Sequence, residues 1–466
     1  MTANLRRFER ARVLIAGAGT AGQSLANEVE ASGDLFVGFL DDSVRNDRVL
    51  GCLADLAEVA AIQAVDVLYL AMPSAPPEKI RDLVSQARSL DLEIAIVPRT
   101  YRIVAKDRVS VNDLTDIDVL DLVGRAPVKH DMLSARDQIR GRRVLVTGAA
   151  GSIGSRVLSQ LAALEPALIV GVDRAESPMF HLGMQLSSER NLILEIADVQ
   201  SSKRIDQLME SHRPDYVFHV AAYKHVPLME SNPIEAFNNN VWGTLNVLRS
   251  AAEHSASRVV YVSTDKAVNP ANVMGATKRI GELLLHDLSD VYPSTVFSAV
   301  RFGNVLESEG SVMQIFRRQL SAGKNLTVTH PEITRFFMTI DEAAQLVIQT
   351  ASLSTHDDLF VLDMGEPIRV IDLAQGLIDA VNPALEIDII GLRPGEKMYE
   401  ELSYAASEVD HTSHPKILIV KEHNVSPSGT TLEWVQSLLP RTLDYSISAA
   451  KLRSHIAKFG FEALES

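Results

Sequence analysis

Short apolar runs alternate with longer amphipathic segments along the chain, and they do so in two successive series. Short apolar runs separated by helical patterns are typical of strand-helix-strand units on a parallel sheet. The sequence therefore predicts an α/β protein with two doubly wound, Rossmann-like parallel-sheet domains. The runs of the first series lie at residues 13–16, 35–40, 67–71 and 93–97, and those of the second at residues 142–146, 167–172, 216–220 and 258–262.

The division between the two series sets the expected domain limits. A chain of 466 residues is long enough for two or three separate cores. We expect an N-terminal domain over residues 1–125, a linker over residues 126–140 and a second domain over residues 141–466. The mixed stretch at residues 110–131 favours a connecting segment. From residue 411 onward, we expect an extended piece followed by two helices.

A glycine-rich turn follows the first apolar run. Gly17, Gly19 and Gly22 form a GxGxxG pattern between a predicted strand and a predicted helix, and Asp41 follows the next strand. Backbone amides at such a turn bind phosphate, and an acidic side chain about 20 residues later meets a ribose hydroxyl. We therefore expect a second nucleotide site here. The alternative is a domain that keeps this fold for packing or assembly alone.

The second series opens with a different glycine spacing. Gly148, Gly151 and Gly154 form a GxxGxxG pattern, which is typical of short-chain dehydrogenases. Its glycines allow the backbone to approach a pyrophosphate at the N-terminus of the following helix, where free N–H groups favour an anion. The pattern predicts a dinucleotide site that also includes the turn residues Ser152 and Ile153.

Two adjacent residues at the end of the next strand favour different cofactors. Asp173 suits an unmodified adenosine ribose and favours NAD, whereas Arg174 suits a 2′-phosphate and admits NADP. We expect NAD or NADP, with NAD preferred, bound tightly and recycled in each turnover. The remaining predicted cofactor contacts lie at the ends of two further strands and are Asp198, Val199, Ala221 and Ala222.

The last strand of the second series delivers the residues that we expect to carry the chemistry. Thr264, Asp265 and Lys266 follow it directly, and Lys278 lies four residues after Met274 on a predicted helix. Short-chain dehydrogenases place a tyrosine at the Met274 position, and a thioether neither takes nor gives a proton. The sequence therefore predicts that Asp265 and Lys266 act as an acid-base pair, while Lys278 holds the nicotinamide ribose.

Base catalysis by a lysine requires a neutral amine. The usual pKa of lysine is about 10.4, and we expect burial and the neighbouring cation Lys278 to lower the pKa of Lys266. The adjacent carboxylate of Asp265 acts in the opposite direction, because opposite charges stabilise both ionised forms. The sequence leaves the balance between these influences open.

Longer motifs in the second domain resemble one family. They are similar to those of the CapD-like polysaccharide-biosynthesis family, the UDP-N-acetylglucosamine 4,6-dehydratases. The likeness covers residues 121–419, and the N-terminal domain matches the larger members. Met274 resembles a subgroup with methionine at that position, whereas the family more often has glycine where this chain has Glu307. The motifs are VAAYKHVPLME at 220–230, STDKAVNPANVMGATK at 263–278, RFGNV at 301–305, THPEITRFFMT at 329–339 and GLRPGEK at 391–397.

This resemblance implies an extended short-chain dehydrogenase fold with a small C-terminal substrate subdomain, and a UDP-sugar as substrate. Long members of the family usually begin with transmembrane helices, which this chain lacks, so we expect no membrane span. The residues implied to bind substrate are Lys224 and His225 at the sugar, Asn304 at the pyrophosphate, Arg393 and Glu396 at the phosphate and uridine ribose, and Arg335 as a further phosphate ligand.

The implied reaction converts UDP-N-acetylglucosamine into a UDP-4-keto-6-deoxy-N-acetylhexosamine for surface polysaccharide or glycan biosynthesis, with retention at C5. Oxidation at C4 acidifies the C5 hydrogen. Lys266 then removes the C5 proton, Asp265 protonates the departing C6 hydroxyl, and hydride returns to C6. Thr264 bonds the C4 oxygen, and an ordered water takes the first proton, with the Tyr223 phenol as an alternative.

Two other interpretations remain open from the sequence. A UDP-sugar C4 epimerase also oxidises C4, but it needs no base at C5, so the Asp265 and Lys266 pair discriminates against it. A sensor that binds NAD(P) and a sugar nucleotide without turnover is suggested by Met274 and by the second nucleotide fold.

Composition narrows the expected partners. The formal net charge is −15 and Cys52 is the only cysteine, which disfavours nucleic acid and excludes intramolecular disulfides and cysteine-based zinc sites. We expect no metal site and a cytoplasmic location.

Helices predicted at residues 236–255 and 274–288 are those through which extended short-chain dehydrogenases commonly dimerise, so we expect a homo-oligomer. The apolar positions that would serve either this interface or the core are Ile280, Leu283 and Leu284.

Overall fold

The computed structural model describes residues 10–72, 75–97, 132–355, 358–404, 408–421 and 431–461. These residues fall into two compact units. The first draws on residues 1–129, 316–328 and 368–389, and the second on residues 130–315, 329–367 and 390–466. Two segments that the predicted limits assign to the second domain therefore group with the first unit. The connecting segment predicted at residues 110–131 lies outside the described residues, and the domain limits stay a prediction.

Strands and helices alternate along both units. The strands are β1 (Arg12–Ala16), β2 (Leu35–Leu40), β3 (Val49–Gly51), β4 (Val67–Leu70), β5 (Glu93–Ile96), β6 (Arg143–Thr147), β7 (Leu168–Asp173), β8 (Leu192–Ile196), β9 (Tyr216–His219), β10 (Arg258–Val262), β11 (Val296–Arg301), β12 (Asn304–Val305), β13 (Leu326–Val328), β14 (Thr334–Arg335), β15 (Phe337–Met338), β16 (Asp358–Leu362), β17 (Ile368–Arg369), β18 (Ile387–Ile389), β19 (Glu408–His411) and β20 (Ile417–Lys421).

The helices follow the same order. They are α1 (Thr20–Ser32), α2 (Leu56–Gln63), α3 (Pro77–Ser89), α4 (Leu133–Ile139), α5 (Ser152–Ala162), α6 (Glu176–Gln185), α7 (Ser202–His212), α8 (Val226–Ser231), α9 (Pro233–Phe237), α10 (Gly243–Glu253), α11 (Val273–Val291), α12 (Val312–Ser321), α13 (Ile340–Leu353), α14 (Val370–Val381), α15 (Thr431–Leu443) and α16 (Ala449–Lys458). A π-helical turn at Asn238–Trp242 joins α9 to α10, and a 3₁₀ turn at Asp265–Ala267 follows β10.

The first unit contains a five-stranded sheet in the order β3-β2-β1-β4-β5. Strand β1 is central and pairs in parallel with β2 and β4. Its residues Val13 and Ile15 are fully buried, as is Phe39 on β2. Burial of this kind is expected for a parallel sheet covered by helices. The first predicted Rossmann-like domain is confirmed.

The second unit contains a nine-stranded sheet in the order β19-β20-β16-β11-β10-β9-β6-β7-β8. The strands from β8 to β16 are parallel, whereas β20 and β19 are antiparallel additions at one edge. Because the chain winds first toward β8 and then toward β16, the direction of winding reverses between β6 and β9. Open α/β sheets bind ligands outside the carboxyl ends of their strands at such a switch point. The doubly wound fold predicted for this unit is confirmed.

Helix α11 is buried along most of its length. Ile280 and Leu284 are fully buried and Leu283 is 5% exposed. The apolar positions considered for a dimer interface are therefore core positions. Ile280 and Leu284 share a hydrophobic cluster with residues of the C-terminal helices α15 and α16, namely Val435, Leu438, Leu452 and Ile456. The helices expected near the C-terminus are present, and a homo-oligomer stays a prediction.

Gly275, in the first turn of α11, determines how closely this helix approaches the turn that carries Lys266. A Cβ added at Gly275 would lie 2.2 Å from the Lys266 carbonyl oxygen, which is a backbone atom and cannot swing aside. We expect Gly275→Ala to lower the free energy of unfolding by about 1–3 kcal/mol, the usual cost of overpacking, as measured by denaturant unfolding.

The matched control for this substitution is Gly19→Ala. A Cβ added at Gly19 meets nothing within 4 Å, and Gly19 has an ordinary φ of −73°. Equal stability of the two variants would contradict the tight approach assigned to Gly275.

Candidate active site

A cleft with a volume of about 560 Å³ lies in the second unit, where β6, β7, β9 and β10 end. This is the edge at which the sheet topology places a binding crevice. The structure brings all the predicted cofactor residues together in its wall, although their contacts with a cofactor stay a prediction. They are Gly148, Gly151, Ser152, Ile153, Gly154, Asp173, Arg174, Asp198, Val199, Ala221, Ala222 and Lys278.

The glycines of the turn after β6 are required by close backbone contacts. Gly148 has a left-handed φ of +69°, and a Cβ there would lie 2.7 Å from the Ala221 nitrogen. A Cβ on Gly154 would lie 1.9 Å from the Gly148 carbonyl oxygen. Larger residues at these positions would therefore push the turn away from β9 and from its own helix. The Ser152 hydroxyl accepts a hydrogen bond from the Glu309 amide at 3.0 Å.

The residues at the end of β7 differ in their surroundings. Asp173 accepts a hydrogen bond from the Ala150 amide through Oδ2 at 3.1 Å. Arg174 donates to Asp198 Oδ2 at 3.3 Å, and its guanidinium lies 4.7 Å from the centre of the Tyr223 ring. Both side chains therefore have partners within the cleft wall, and the choice between NAD and NADP stays a prediction.

Thr264, Asp265 and Lys266 form a connected group at the end of β10. The Thr264 hydroxyl donates to Asp265 Oδ1 at 2.8 Å, and Lys266 Nζ donates to the same oxygen at 3.0 Å. The Asp265 side chain is fully buried, and its Oδ2 has no hydrogen-bond partner among the residues that the structure describes. Thr264 and Lys266 line the cleft, whereas Asp265 lies behind them. The predicted acid, Asp265, and the predicted base, Lys266, are thus adjacent. Asp265 itself does not face the cleft, so a molecule in the cleft would contact Thr264 and Lys266 and not Asp265.

Lys266 has two further oxygen neighbours. Its Nζ donates to Asn304 Oδ1 at 3.2 Å and lies 3.4 Å from Glu400 Oε1. Burial acts to lower the pKa of Lys266, but attraction to Asp265 and Glu400 prevails and the pKa is raised. The two carboxylates therefore decide the balance that the sequence leaves open. The largest charge effects on the pKa of Lys266 come from Asp265, Glu400 and Arg335.

Lys278 has a different environment. Its Nζ lies 4.2 Å from the centre of the Tyr261 ring, and burial lowers its pKa to about 7. Met274, one helical turn earlier, is 3% exposed and also lines the cleft. The position of the usual tyrosine is therefore part of the site but holds no titratable group.

The cleft wall also contains Lys224, His225 and Asn304, and their contacts with the sugar and the pyrophosphate stay predictions. Burial lowers the pKa of both Lys224 and His225. Gly310 allows the facing loop to approach closely, since a Cβ there would lie 2.4 Å from His225 Cε1. In the same loop Glu307 has a left-handed φ of +62°, which explains why glycine suits that position.

Three predicted substrate residues do not line this cleft. Arg335 is 6% exposed and donates to the carbonyl oxygens of Lys397 at 2.8 Å and Met398 at 3.2 Å. It also lies 3.4 Å from Glu396. Arg393 is exposed, and its amide donates to Glu396 Oε2 at 3.2 Å. These hydrogen bonds stabilise the segment at residues 393–398. Contacts of Arg335, Arg393 and Glu396 with phosphate or uridine stay predictions.

Sequence reasoning missed two buried carboxylates. Glu400 lies three residues after the end of the GLRPGEK motif, and an acidic residue so close to a matched motif was the available signal. Glu282 lies within the apolar run of α11 and accepts hydrogen bonds from Ser263, Arg301 and Arg279 at 2.6 to 2.8 Å. Burial alone would raise the pKa of Glu282, but the two guanidinium groups lower it to about 2.

The glycine turn of the first unit resembles the turn after β6 in its internal contacts. Gly17 has a left-handed φ of +104°, and a Cβ on Gly22 would lie 1.9 Å from the Gly17 carbonyl oxygen, whereas Gly19 is open. Asp41 Oδ2 accepts a hydrogen bond from the Ala18 amide at 2.7 Å. The second nucleotide site at these residues stays a prediction.

The described residues contain neither a candidate membrane span nor a candidate metal site. None of their helices is both long and apolar enough to cross a membrane. Within the same part of the chain, no group of three or more His, Cys, Asp or Glu side chains is arranged to hold a metal ion.

Two family models match the chain. One, described as polysaccharide biosynthesis protein, matches residues 144–422, and the other, described as CoA-binding domain, matches residues 2–98. The capsular polysaccharide biosynthesis protein CapD of Staphylococcus aureus is 40% identical over 412 residues, which cover 84% of this chain and 69% of CapD. A UDP-glucose 4-epimerase of Rickettsia rickettsii is 38% identical over 270 residues, which cover 56% of this chain and 77% of that protein.

A solved structure shares the fold of the matched region. Pen from Bacillus thuringiensis is 32% identical, with a TM-score of 0.58, and the match covers 65% of this chain and 98% of Pen. The chain therefore belongs to the CapD-like polysaccharide biosynthesis family, which has the extended short-chain dehydrogenase fold of nucleotide-sugar dehydratases and epimerases.

Proposed function

We propose that this protein is an NAD(P)-dependent UDP-N-acetylglucosamine 4,6-dehydratase that retains the configuration at C5. The observation that carries the proposal is the pairing of Lys266 with Asp265 at 3.0 Å beside Met274, which replaces the usual tyrosine. Oxidation of an alcohol alone needs one proton acceptor, whereas elimination of water across C5 and C6 needs both a base and an acid. The strand end supplies both.

The cleft suits a dinucleotide on grounds of its own geometry. Gly148 and Gly154 permit backbone approaches that any Cβ would block, and the turn leads into the N-terminus of α5, where free amides favour a pyrophosphate. Asp173 and Lys278 line this cleft, where Asp173 would bind the adenosine ribose and Lys278 the nicotinamide ribose. A bound nicotinamide would take hydride from C4 and later return it to C6, so it would be recycled.

The hydrogen bonds around Asp265 support a route for the first proton. Because Asp265 is fully buried behind Thr264, it exchanges protons with the substrate through the Thr264 hydroxyl, which already donates to it at 2.8 Å. The C4 hydroxyl proton passes to Thr264 as Thr264 passes its own proton to Asp265. Asp265 thereby becomes the neutral acid that elimination requires, and the ordered water considered above is not needed.

The elimination then uses the same residues in sequence. Lys266, once neutral, removes the C5 proton, which the 4-ketone has acidified. Asp265 returns its proton through Thr264 to the departing C6 hydroxyl, and water leaves. Lys266 gives the C5 proton back to the face from which it came, which accounts for retention.

A UDP-sugar C4 epimerase is the second candidate. The similarity to a UDP-glucose 4-epimerase over 270 residues favours it. An epimerase returns hydride to C4 and leaves C5 and C6 untouched, so it has no use for Lys266 as a base. The two candidates therefore differ in their products.

The product formed in deuterated water tests the proposal. Incubation of the protein with UDP-N-acetylglucosamine and NAD or NADP should give a sugar nucleotide lighter by one water, with a 4-keto group and deuterium at C5, because the base exchanges with solvent. NMR and mass spectrometry report these changes together. A C4-inverted product of unchanged mass would favour the epimerase, and unchanged substrate despite bound cofactor would exclude both enzymes.

Substitution of the acid-base pair separates chemistry from binding. We expect Lys266→Ala and Asp265→Asn each to lower the rate of dehydration by about 10²–10⁴-fold, the usual contribution of general acid-base catalysis, with little change in cofactor binding. The rate is followed by product NMR and binding by fluorescence of the reduced cofactor.

The control for these variants is Lys203→Ala, which removes an exposed lysine at the start of α7. It should leave the rate unchanged. Dehydration at the normal rate in Asp265→Asn would refute the role of Asp265 as the acid.

A further inference from the structure

Glu400 is a buried carboxylate beside the reacting lysine that none of the preceding steps uses. Its side chain is 2% exposed, and its Oε1 lies 3.4 Å from Lys266 Nζ and 3.8 Å from Arg335 Nε. Its Oε2 is buried and has no hydrogen-bond partner in the part of the chain that the structure describes. Glu400 does not line the cleft, so it acts on a substrate only through Lys266.

The ammonium group of Lys266 is surrounded by three oxygens. They belong to Asp265 at 3.0 Å, Asn304 at 3.2 Å and Glu400 at 3.4 Å. An ammonium has three N–H donors and no lone pair, so Lys266 in this state is fully engaged and cannot accept a proton. It becomes a base only after it loses a proton, and its three neighbours are the groups within reach that could accept it.

The three neighbours are not equivalent as acceptors. The amide oxygen of Asn304 is too weak a base to hold a proton. Asp265 already holds the C4 proton at the stage at which the C5 proton must leave, if the proposed function is correct. Glu400 is the remaining acceptor. The second carboxylate oxygens of both Asp265 and Glu400 have no hydrogen-bond partner among the described residues. Only Glu400, however, has no role in another step of the proposed reaction.

We propose that Glu400 accepts the ammonium proton of Lys266 when the sugar is a 4-ketone, and returns it when turnover ends. This inference rests on the proposed dehydratase function. One N–H bond of Lys266 breaks, its electron pair stays on the nitrogen, and an O–H bond forms on Glu400. Nothing is oxidised or reduced in this exchange, and both residues end each cycle in their starting forms.

The surroundings of Glu400 reduce the cost of its neutral form. Burial raises its pKa, although the cations Lys266, Arg335 and Lys397 act to lower it. An ionised carboxylate oxygen without a donor is expensive in a buried site. Protonation relieves that cost, because a neutral carboxyl group requires fewer donors.

Glu400→Gln tests the inference, because glutamine preserves the shape of the side chain but cannot take a proton. At neutral pH we expect dehydration to fall by about 10²-fold or more, as for loss of a general base. C4 oxidation should persist, so reduced nicotinamide should accumulate, as followed by its absorbance. The rate of dehydration by Glu400→Gln should rise with pH, since Lys266 must then lose its proton to solvent.

Glu400→Asp is the conservative control, because aspartate keeps a carboxyl group. It should retain part of the activity, with the pH profile of the unsubstituted protein.

A second measurement needs no turnover. The pH dependence of Lys266 acetylation by acetic anhydride, quantified by mass spectrometry of its peptide, reports the protonation of that amine. Because Glu400 acts to raise the pKa of Lys266, its neutralisation in Glu400→Gln should move the labelling midpoint to lower pH. Glu401→Gln is the matched control, since Glu401 is exposed and bonds to Asn269 at 3.0 Å instead.

The outcomes distinguish the two proposals. An unchanged labelling midpoint in Glu400→Gln, or an unchanged rate and pH profile, would overturn the role of Glu400. A loss of rate that is the same at every pH, with C4 oxidation lost as well, would also overturn it, because that pattern indicates a structural defect. If the unsubstituted protein makes no 4-keto product, the dehydratase proposal fails, and the labelling midpoint alone then decides whether Glu400 controls the charge of Lys266.

Discussion

The charged side chains of Lys266, Asp265 and Glu400 lie close together and are largely buried, with exposures of 18%, 0% and 2%. Removing an ion from water costs several kcal/mol, which is recovered only when opposite charges are close and well placed. Here burial acts against the ammonium, but the two carboxylates prevail, since the pKa of Lys266 is raised. Removing one member of such a buried group costs about 3–5 kcal/mol, because it leaves an unpaired charge. A change of protonation at one residue must therefore be matched by a change at another, which makes coupled proton transfers the natural chemistry of this site.

A second buried ionic group holds the elements around these charges. Glu282 on α11 accepts hydrogen bonds from Ser263 at the end of β10, at 2.6 Å, and from Arg301 on β11, also at 2.6 Å. The same helix carries Lys278, and the same strand end carries Thr264 and its neighbours. Glu282 thus fixes the helix against both strands through charged hydrogen bonds, which have stricter geometry than apolar contacts. The distance between the acid-base pair and the cofactor side of the cleft depends on this group.

The sequence predicted those parts of the site that depend on a short local pattern of neighbouring residues. The glycines around Gly148 and the acid Asp173 could be predicted because a turn and the strand after it have fixed local requirements. Glu400 is distant in sequence from Lys266, and no local pattern marks it as a partner. The sequence left the direction of the Lys266 pKa open for the same reason, since that pKa depends on a carboxylate whose position only the fold reveals. Arg335 was assigned to phosphate by its residue type, but the structure shows it bonded to backbone carbonyls of a neighbouring segment.

Met274 explains why the acid-base chemistry lies at the strand end. It packs in an apolar cluster with Met229, Ala236 and Val273, so the helix position that usually supplies a phenol supplies only shape. Lys278 normally has a tyrosine to activate, whereas here its Nζ lies over the Tyr261 ring and burial lowers its pKa to about 7. Lys278 is therefore only partly ionised at neutral pH, and the neighbouring helix position offers it no phenol to activate. The strand-end residues must then both remove and supply protons, and this requirement accounts for the carboxylates that surround Lys266.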